Sequence, residues 1–231
     1  MCMFKSMLLL KDKVFCPNYD SHEDMINETG MEHGPMRENF VRVEITPPDD
    51  DLTVPIDKWE YKVDQDYLPE WYVEEVDKPR CFDALKAWAV KHILVGQDVP
   101  EVKQGEFVVL VNCNTGIVKG TVQKVWGGTV QKVWDGGTVQ KVWDGGTVQE
   151  VRDGGTVQEV RGGGTVQEVW GGGTVQEVLG GTVQKVLGGT VQEVWGGTVQ
   201  KQTGGIVIYA DGCISVCNKN FYRLITPEEM K

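Results

Sequence analysis

Valine recurs at short, regular intervals through the repeats of the second half of the chain, directly after Thr, Lys or Glu and close to paired glycines. The sequence Thr-Val-Gln occurs ten times within residues 121–205, at spacings of eight or nine residues. A typical unit, residues 138–146, reads Thr-Val-Gln-Lys-Val-Trp-Asp-Gly-Gly. A period this short, rich in Val and Thr, does not suit a helical repeat and predicts a regular β-structure.

Three β architectures are compatible with such units. An antiparallel meander with Gly-Gly turns distributes Val over both sheet faces, so neither face becomes a core. An intertwined trimeric β-prism needs a strict eight-residue repeat, which five consecutive nine-residue spacings interrupt. A parallel β-solenoid with a bend at Gln-Lys turns both Val of each unit inward. Burial of roughly twenty Val at ~1.5–3 kcal/mol each outweighs the cost of stacked like charges, so we predict the solenoid.

The predicted solenoid has two units per coil and turns the sixth position of each unit, occupied by Trp, Arg or Leu, towards solvent. An exposed row of large side chains is a candidate binding surface. The same side chains could instead pack against the N-terminal domain, the C-terminal tail or a second copy of the chain. The candidate binding residues are Trp126, Trp134, Trp143, Trp170 and Trp195.

Residues 1–105 lack the repeat and predict a small α+β domain that caps the solenoid. Residues 7–15 and 40–45 are typical of strands, the latter with cleanly alternating apolar positions. Ser21 has the character of a helix cap. A second helix is predicted from about residue 80 to 94, with a proline at its start and an apolar face for packing on a sheet.

The array is flanked by degenerate units, so the solenoid is predicted to span residues 106–217. Irregular end units are typical of repeat proteins, whose terminal edges need cover. Residues 218–231 are predicted to form a C-terminal cap, consisting of a strand followed by a helical turn.

The net charge of −11 is concentrated before the repeats, where residues 1–120 hold 23 Asp/Glu and 13 Lys/Arg. This balance argues against nucleic acid as a partner, because such binding depends on cations that neutralise phosphates. The apolar runs are too short for a membrane span or a signal peptide, which favours a cytoplasmic protein. Six scattered cysteines are interpreted as free thiols.

Few residues are candidates for chemistry. His22 and His33 lie near acidic residues, but their spacing matches no known ligand pattern, so we predict no metal site. Asp135, Asp144 and Asp153 precede Gly-Gly and are interpreted as turn formers rather than calcium ligands. The sequence has no phosphate-binding loop and no pattern typical of a catalytic triad. We therefore expect no cofactor and no enzymatic activity.

Tandem octa- and nonapeptides behind a short acidic α+β domain, with segments like residues 40–45 and 82–94, resemble a group of repeat proteins from phages and bacteria. The resemblance covers nearly the whole chain. It implies the architecture described above and implies no catalytic residues.

The leading hypothesis is a non-enzymatic repeat scaffold that uses the outer Trp/Leu/Arg positions to bind a protein partner or a second copy of itself. One alternative is a trimeric phage spike or fibre component. Another is an acidic inhibitor that occupies a nucleic-acid or nucleotide site on a host protein.

Overall fold

The computed structural model describes residues 5–31, 39–218 and 221–229, and divides the chain into two compact units. We call Met1–Lys91 the N-terminal domain and His92–Lys231 the solenoid domain. The sequence pattern predicts their boundary at residue 105. Residues 93–95 and 98–102 instead pair in parallel with the strands of the next coil, so they form the first coil of the solenoid.

The N-terminal domain is built on a four-stranded antiparallel sheet in the order β2-β1-β3-β4. Its elements are β1 (Lys5–Leu9), β2 (Val14–Phe15), α1 (His22–Thr29), β3 (Val41–Thr46), β4 (Glu60–Val63) and α2 (Glu74–His92). Two short 3-10 helices, Pro48–Asp50 and Ile56–Lys58, connect β3 to β4. The alternation in β3 is as expected, because Val41, Val43 and Ile45 are buried and the residues between them are only partly covered.

Both helices of this domain have identifiable ends. The Ser21 hydroxyl accepts a hydrogen bond from the Asp24 backbone N–H at 3.2 Å, which caps α1 as predicted. The second helix starts six residues earlier than predicted and contains Pro79. The Asp77 carboxylate explains the extra turn, because it accepts the Val73 backbone N–H at 2.9 Å and an Arg80 N–H at 2.6 Å.

In the part of the chain that the structure describes, the solenoid domain contains fifteen strands that follow one another without a helix and pair mainly in parallel. Its first strands are β5 (Ile93–Val95), β6 (Asp98–Val102), β7 (Phe107–Val111) and β8 (Asn114–Val118). The repeats form β9 (Thr121–Trp126), β10 (Thr129–Val133), β11 (Thr138–Trp143), β12 (Thr147–Val151), β13 (Thr156–Arg161), β14 (Thr165–Val169), β15 (Thr174–Leu179), β16 (Thr182–Val194) and the first part of β17 (Thr198–Tyr209). The chain ends with β18 (Ile214–Asn218) and β19 (Phe221–Ile225).

Odd- and even-numbered strands stack in two separate series, so two units complete each of about seven coils. In the β10–β12 pair, Val130 lies beside Val148 and Val133 beside Val151, while the intervening Gln131 takes no part in the register. Both Val of a unit are therefore on the inner side of a bent strand, and from Val122 to Val191 they are fully buried. The predicted parallel β-solenoid is confirmed, and the antiparallel meander and the trimeric β-prism are not the fold of this chain.

Stacking in register brings charges of like sign together, but opposite charges flank them. Glu150 and Glu168 are neighbours in the β12–β14 pair. Lys132 lies 3.9 Å from the Glu150 carboxylate on one side, and Lys185 lies 2.9 Å from the Glu168 carboxylate on the other. These exposed pairs contribute little individually, but they reduce the cost of stacking glutamates.

The last coil differs from the others at Gln202, which occupies the inward position that Val186 holds in the coil before. The Gln202 side chain accepts the Ser215 hydroxyl hydrogen at 2.5 Å and donates to the backbone carbonyls of Gly205 and Ser215 at 2.9 and 3.1 Å. Ser215 belongs to β18, which pairs antiparallel with β17 and β19. The contact between Gln202 and Ser215 covers one side of the Val core at the last coil. The expected C-terminal strand is β19, whereas Thr226–Glu229 forms a hydrogen-bonded turn rather than a helix.

Replacing Gln202 with valine, the residue of the other units, is expected to destabilise the protein by about 1–3 kcal/mol. The reason is that the buried Ser215 hydroxyl loses its partner. The double variant Gln202→Val/Ser215→Ala is expected to recover most of this loss, because both polar groups are then gone. Urea denaturation of the two single variants and the double variant measures the coupling. Additive effects would contradict the assigned contact.

Candidate functional site: the outer surface and C-terminal end of the solenoid

The sixth-position side chains form two columns on the outside of the solenoid rather than the single row expected. Two units complete each coil, so alternate units belong to different strand series. Trp126 and Trp143 are direct neighbours in the β9–β11 pair, and Arg161 and Leu179 are neighbours in the β13–β15 pair. In the other series, Trp134, Arg152 and Trp170 directly follow β10, β12 and β14, respectively.

Trp126 and Trp143, the first two side chains of the first column, are covered by their own chain. The Lys124 ammonium lies 4.6 Å from the ring centre of Trp126 and 4.2 Å from that of Trp143, which is cation–π geometry. The Trp126 indole N–H also donates to the Asp144 carboxylate. Both indoles are half-buried and outside the Val core. They contribute to the stability of the coil and offer little free surface.

Trp134, in the second column, has a similar cover. The Arg152 guanidinium lies 5.2 Å from its ring centre and forms an ion pair with Asp153 at 2.8 Å. The indole is half-buried and outside the core. Trp134 and Trp143 are thus weaker candidates for partner binding than the sequence alone predicts, because neighbouring side chains cover part of each indole.

Trp170 and Trp195 are the most exposed of the five candidates, at 41% and 59% of their surface. Each indole N–H donates to a glutamate two residues earlier in the chain, Glu168 at 3.1 Å and Glu193 at 2.6 Å. These bonds hold the rings against the outer wall and leave their faces accessible. Of the five candidate binding residues, Trp170 and Trp195 are therefore the two that remain accessible to a partner. Trp195 belongs to the last full coil.

Trp195 lines a cleft of about 410 Å³ together with Glu193, Ile208 and Tyr209. Burial raises the pKa of the Tyr209 hydroxyl, with smaller contributions from the neighbouring Tyr222 and Asp211.

The β18–β19 hairpin adds further exposed apolar surface at the same end of the solenoid domain. We define the C-terminal patch as the exposed large side chains of Trp195, Ile206, Phe221, Tyr222 and Leu224, of which Ile206 and Phe221 lie on one face of the terminal strands and Tyr222 and Leu224 on the other. Tyr222 is 64% exposed, although it belongs to a paired strand. The sequence interpretation treated residues 218–231 only as a cap and missed this patch. The signal available was the apolar run Phe-Tyr-Arg-Leu-Ile in β19.

The last coil also presents an unpaired strand edge. The segment Thr198–Gln202 of β17 pairs with β16, whereas β18 pairs only with the later part of β17, from Gly205 to Ile208. Within the described residues no strand pairs with the outer edge of Thr198–Gln202, although Ser215 and Cys217 of β18 contact Gln202 at its end. Val199 is accordingly only half-buried, whereas Val183 in the preceding coil is fully buried. Such an edge is a template for pairing with another strand.

The aspartates of the turns and the buried Cys113 have structural roles, as expected from the sequence. Asp135, Asp144 and Asp153 adopt φ values of 55°, 52° and 49° beside the glycines of their turns, as predicted for turn formers. The backbone N–H of Asp135 donates to the Asp153 carbonyl at 3.2 Å, so successive turns also stack. Cys113 is buried, and its thiol donates to the Leu94 carbonyl at 3.2 Å.

The residues that could bind a metal differ from the pair considered in the sequence analysis, His22 and His33. His33 lies outside the described residues. His22 is instead close to Glu44 of β3 and Asp64 after β4, with the three donor atoms within 4.8 Å of one another. Burial lowers the pKa of the His22 imidazole, and the nearby Val43 carbonyl, Glu44 and Asp64 oppose this effect. Spacing in the sequence contains no signal for this cluster, since pairing of β3 with β4 creates it.

No protein-family model, curated protein or solved structure matches this chain. The resemblance to phage and bacterial repeat proteins therefore stays a prediction. Of the helices that the described residues form, neither is long and apolar enough to cross a membrane.

Proposed function

We propose that this chain is a non-enzymatic repeat scaffold that self-associates through the C-terminal end of its solenoid domain. The observation that carries the proposal is the unpaired edge of Thr198–Gln202. Interior strands such as β12 are paired along both edges. An exposed apolar patch adjoins the open edge, because Trp195 precedes Thr198 by three residues.

The sequence of the open edge favours a second copy as its occupant. Residues 198–201 read Thr-Val-Gln-Lys, the sequence whose copies pair side by side along the array. Strand addition at a sheet edge derives affinity from backbone hydrogen bonds and specificity from the side chains on either face. Antiparallel pairing about a two-fold axis at Val199 places the two Val199 side chains opposite each other and keeps the two Lys201 side chains apart, which avoids repulsion between like charges.

The C-terminal patch supplies the apolar part of such a contact. Exposed aromatic side chains are the commonest anchors of protein interfaces, and Trp195 and Tyr222 are the two most exposed aromatic side chains of the patch. A two-fold contact at the open edge covers those members of both patches that lie on the same side of the sheet. Burial of the patch and pairing of the edges then favour the same assembly.

The resulting assembly is a scaffold that carries two copies of the acidic N-terminal domain. Two linked copies raise the effective concentration of any ligand-binding module that they carry. A cytoplasmic location belongs to this proposal, since the five described cysteines are all free thiols, as in a reducing compartment.

The proposal predicts different effects for two matched tryptophans. Trp195 and Trp170 occupy the same position of their units and make the same indole–glutamate bond, but only Trp195 belongs to the last full coil. Trp195→Ser is expected to weaken self-association at least about 10-fold, as for an interface anchor, whereas Trp170→Ser leaves it unchanged. Sedimentation equilibrium of the full chain over a wide concentration range measures both effects.

Other outcomes would contradict the proposal in different ways. A wild-type chain that stays monomeric at every concentration would exclude self-association. Equal weakening by both substitutions would place the contact along the outer columns rather than at the end. A threefold mass would favour the spike or fibre alternative over the two-fold contact.

A further inference from the structure

Three electron-pair donors converge in the N-terminal domain at a place to which the scaffold function assigns no role. His22 is the first residue of α1, Glu44 lies in β3, and Asp64 directly follows β4. The His22 Nδ1 atom lies 3.6 Å from an oxygen of Asp64, and all three donor atoms are within 4.8 Å of one another. Neither carboxylate accepts a hydrogen bond from the described residues. Arg42 lies on the same face of β3 as Glu44, and its charge acts on His22, but among the described residues it forms no ion pair with either carboxylate. The two carboxylates therefore lack a directly bound cation.

The orientation of the imidazole suits a metal ligand. The His22 Nε2 atom lies 3.2 Å from the Val43 carbonyl oxygen, and this acceptor requires the proton on Nε2. The lone pair of Nδ1 then points to the side where the two carboxylates lie. A ring nitrogen held by a backbone carbonyl while the other binds the ion is the usual support of a metal-binding histidine. The residue is only 7% exposed, so its position is fixed by the surrounding chain.

A second observation at the same sheet face is independent of these three residues. Ser6 lies directly opposite Glu44 in the β1–β3 pair, so the two side chains are on one face of the sheet. Ser6 is fully buried, and its hydroxyl has no hydrogen-bond partner within the described residues. Buried hydroxyls are nearly always hydrogen-bonded. A water molecule bound to a cation beside Glu44 supplies such a partner.

We propose that His22, Glu44 and Asp64 bind a divalent transition-metal ion and leave a coordination position for water. One imidazole nitrogen with two carboxylate oxygens favours Zn²⁺ and its neighbours over Mg²⁺ and Ca²⁺, which prefer oxygen ligands alone. The 3.6 Å between Nδ1 and the Asp64 oxygen is close to the ~3.4 Å between ligands of a tetrahedral Zn²⁺ ion bound at ~2.0–2.1 Å. Asp64 is partly exposed, which gives the ion a path from solvent.

Calorimetric titration of the full chain with Zn²⁺ tests this site, and Asp64→Asn is the informative variant. It removes the ligand charge at a partly exposed position with almost no change in shape, so the fold is expected to survive. Asp66→Asn is the matched control, because Asp66 is an exposed acid two residues further on and outside the cluster. All six cysteines and the other histidines are the same in both variants, so binding elsewhere cancels in the comparison.

The wild type and Asp66→Asn are expected to bind one Zn²⁺ that Asp64→Asn binds at least about 10-fold more weakly, since loss of a ligand costs no less than loss of a supporting residue. Glu44→Gln is expected to behave like Asp64→Asn. Zn²⁺ is also expected to raise the melting temperature of the wild type more than that of Asp64→Asn, because the ion joins α1 to β3 and β4. Equal affinity of the two Asp→Asn variants would overturn the proposal, and so would the absence of saturable binding to the wild type.

Discussion

Gly173→Ala is expected to destabilise the solenoid domain by about 3 kcal/mol or more, because the new methyl group has no room. A Cβ atom at this residue would lie 2.2 Å from the Val151 carbonyl oxygen of the coil before. The contact is with backbone, so the two coils have to separate to relieve it. Separation weakens the neighbouring hydrogen bond from the Trp170 N–H to the same Val151 carbonyl, which is 2.9 Å long.

Gly171 offers a control within the same turn. A Cβ atom there would have no neighbour within 4 Å, and its backbone is outside the left-handed region. Gly171→Ala is expected to be neutral or to stabilise the protein by up to ~1 kcal/mol, because alanine restricts the unfolded chain. Guanidinium denaturation followed by circular dichroism compares the two variants. Similar stabilities of the two variants would contradict the close stacking of the coils at the last glycine of each turn.

Val148→Lys is expected to have an even larger effect, with a loss of at least ~4 kcal/mol. Val148 is fully buried inside a central coil, between Val130 and Val166 of the adjacent coils. A lysine there either keeps its charge in an apolar core or loses its proton at a pH far below its ordinary pKa. The longer side chain also overfills the interior of the coil.

Gln149→Lys is the matched control for this buried charge. Gln149 is the next residue in the chain, and it is exposed at the bend between the two short strands of its unit. The new charge would lie beside Glu150, so a change within ±0.5 kcal/mol is expected. Urea denaturation distinguishes the variants. A tolerated lysine at position 148 together with a damaging one at 149 would reverse the assignment of inner and outer positions.

Much of the solenoid could be predicted because each unit repeats the same physical constraint. Val139 and Val142 are three residues apart, so both can point inward only if the strand bends between them, and the repetition of this constraint favours the solenoid over the two alternatives. Residues 93–102 carry no such pattern, and their place in the first coil depends on pairing with β7 and β8. The early start of α2 likewise depends on the Asp77 contacts, which outweigh the preference of Pro79 for a first turn.

The candidate sites were less predictable, because exposure and proximity depend on neighbours distant in the sequence. Trp143 and Trp195 occupy the same position of their units, yet Lys124 covers the first and the second lies in the last full coil. Glu44 and Asp64 are 20 residues apart in the sequence. They meet His22 only after β4 pairs with β3.

The central claim, that the C-terminal end of the solenoid is a self-association surface, is tested most directly by hydrogen–deuterium exchange of the full chain. Exchange is compared at protein concentrations above and below the association midpoint. Association is expected to slow amide exchange in residues 198–202 and 221–225, while the outer turns near Trp126 and Trp143 stay unchanged. Exchange at residues 198–202 that is independent of concentration, or protection confined to residues 126–143, would contradict the claim.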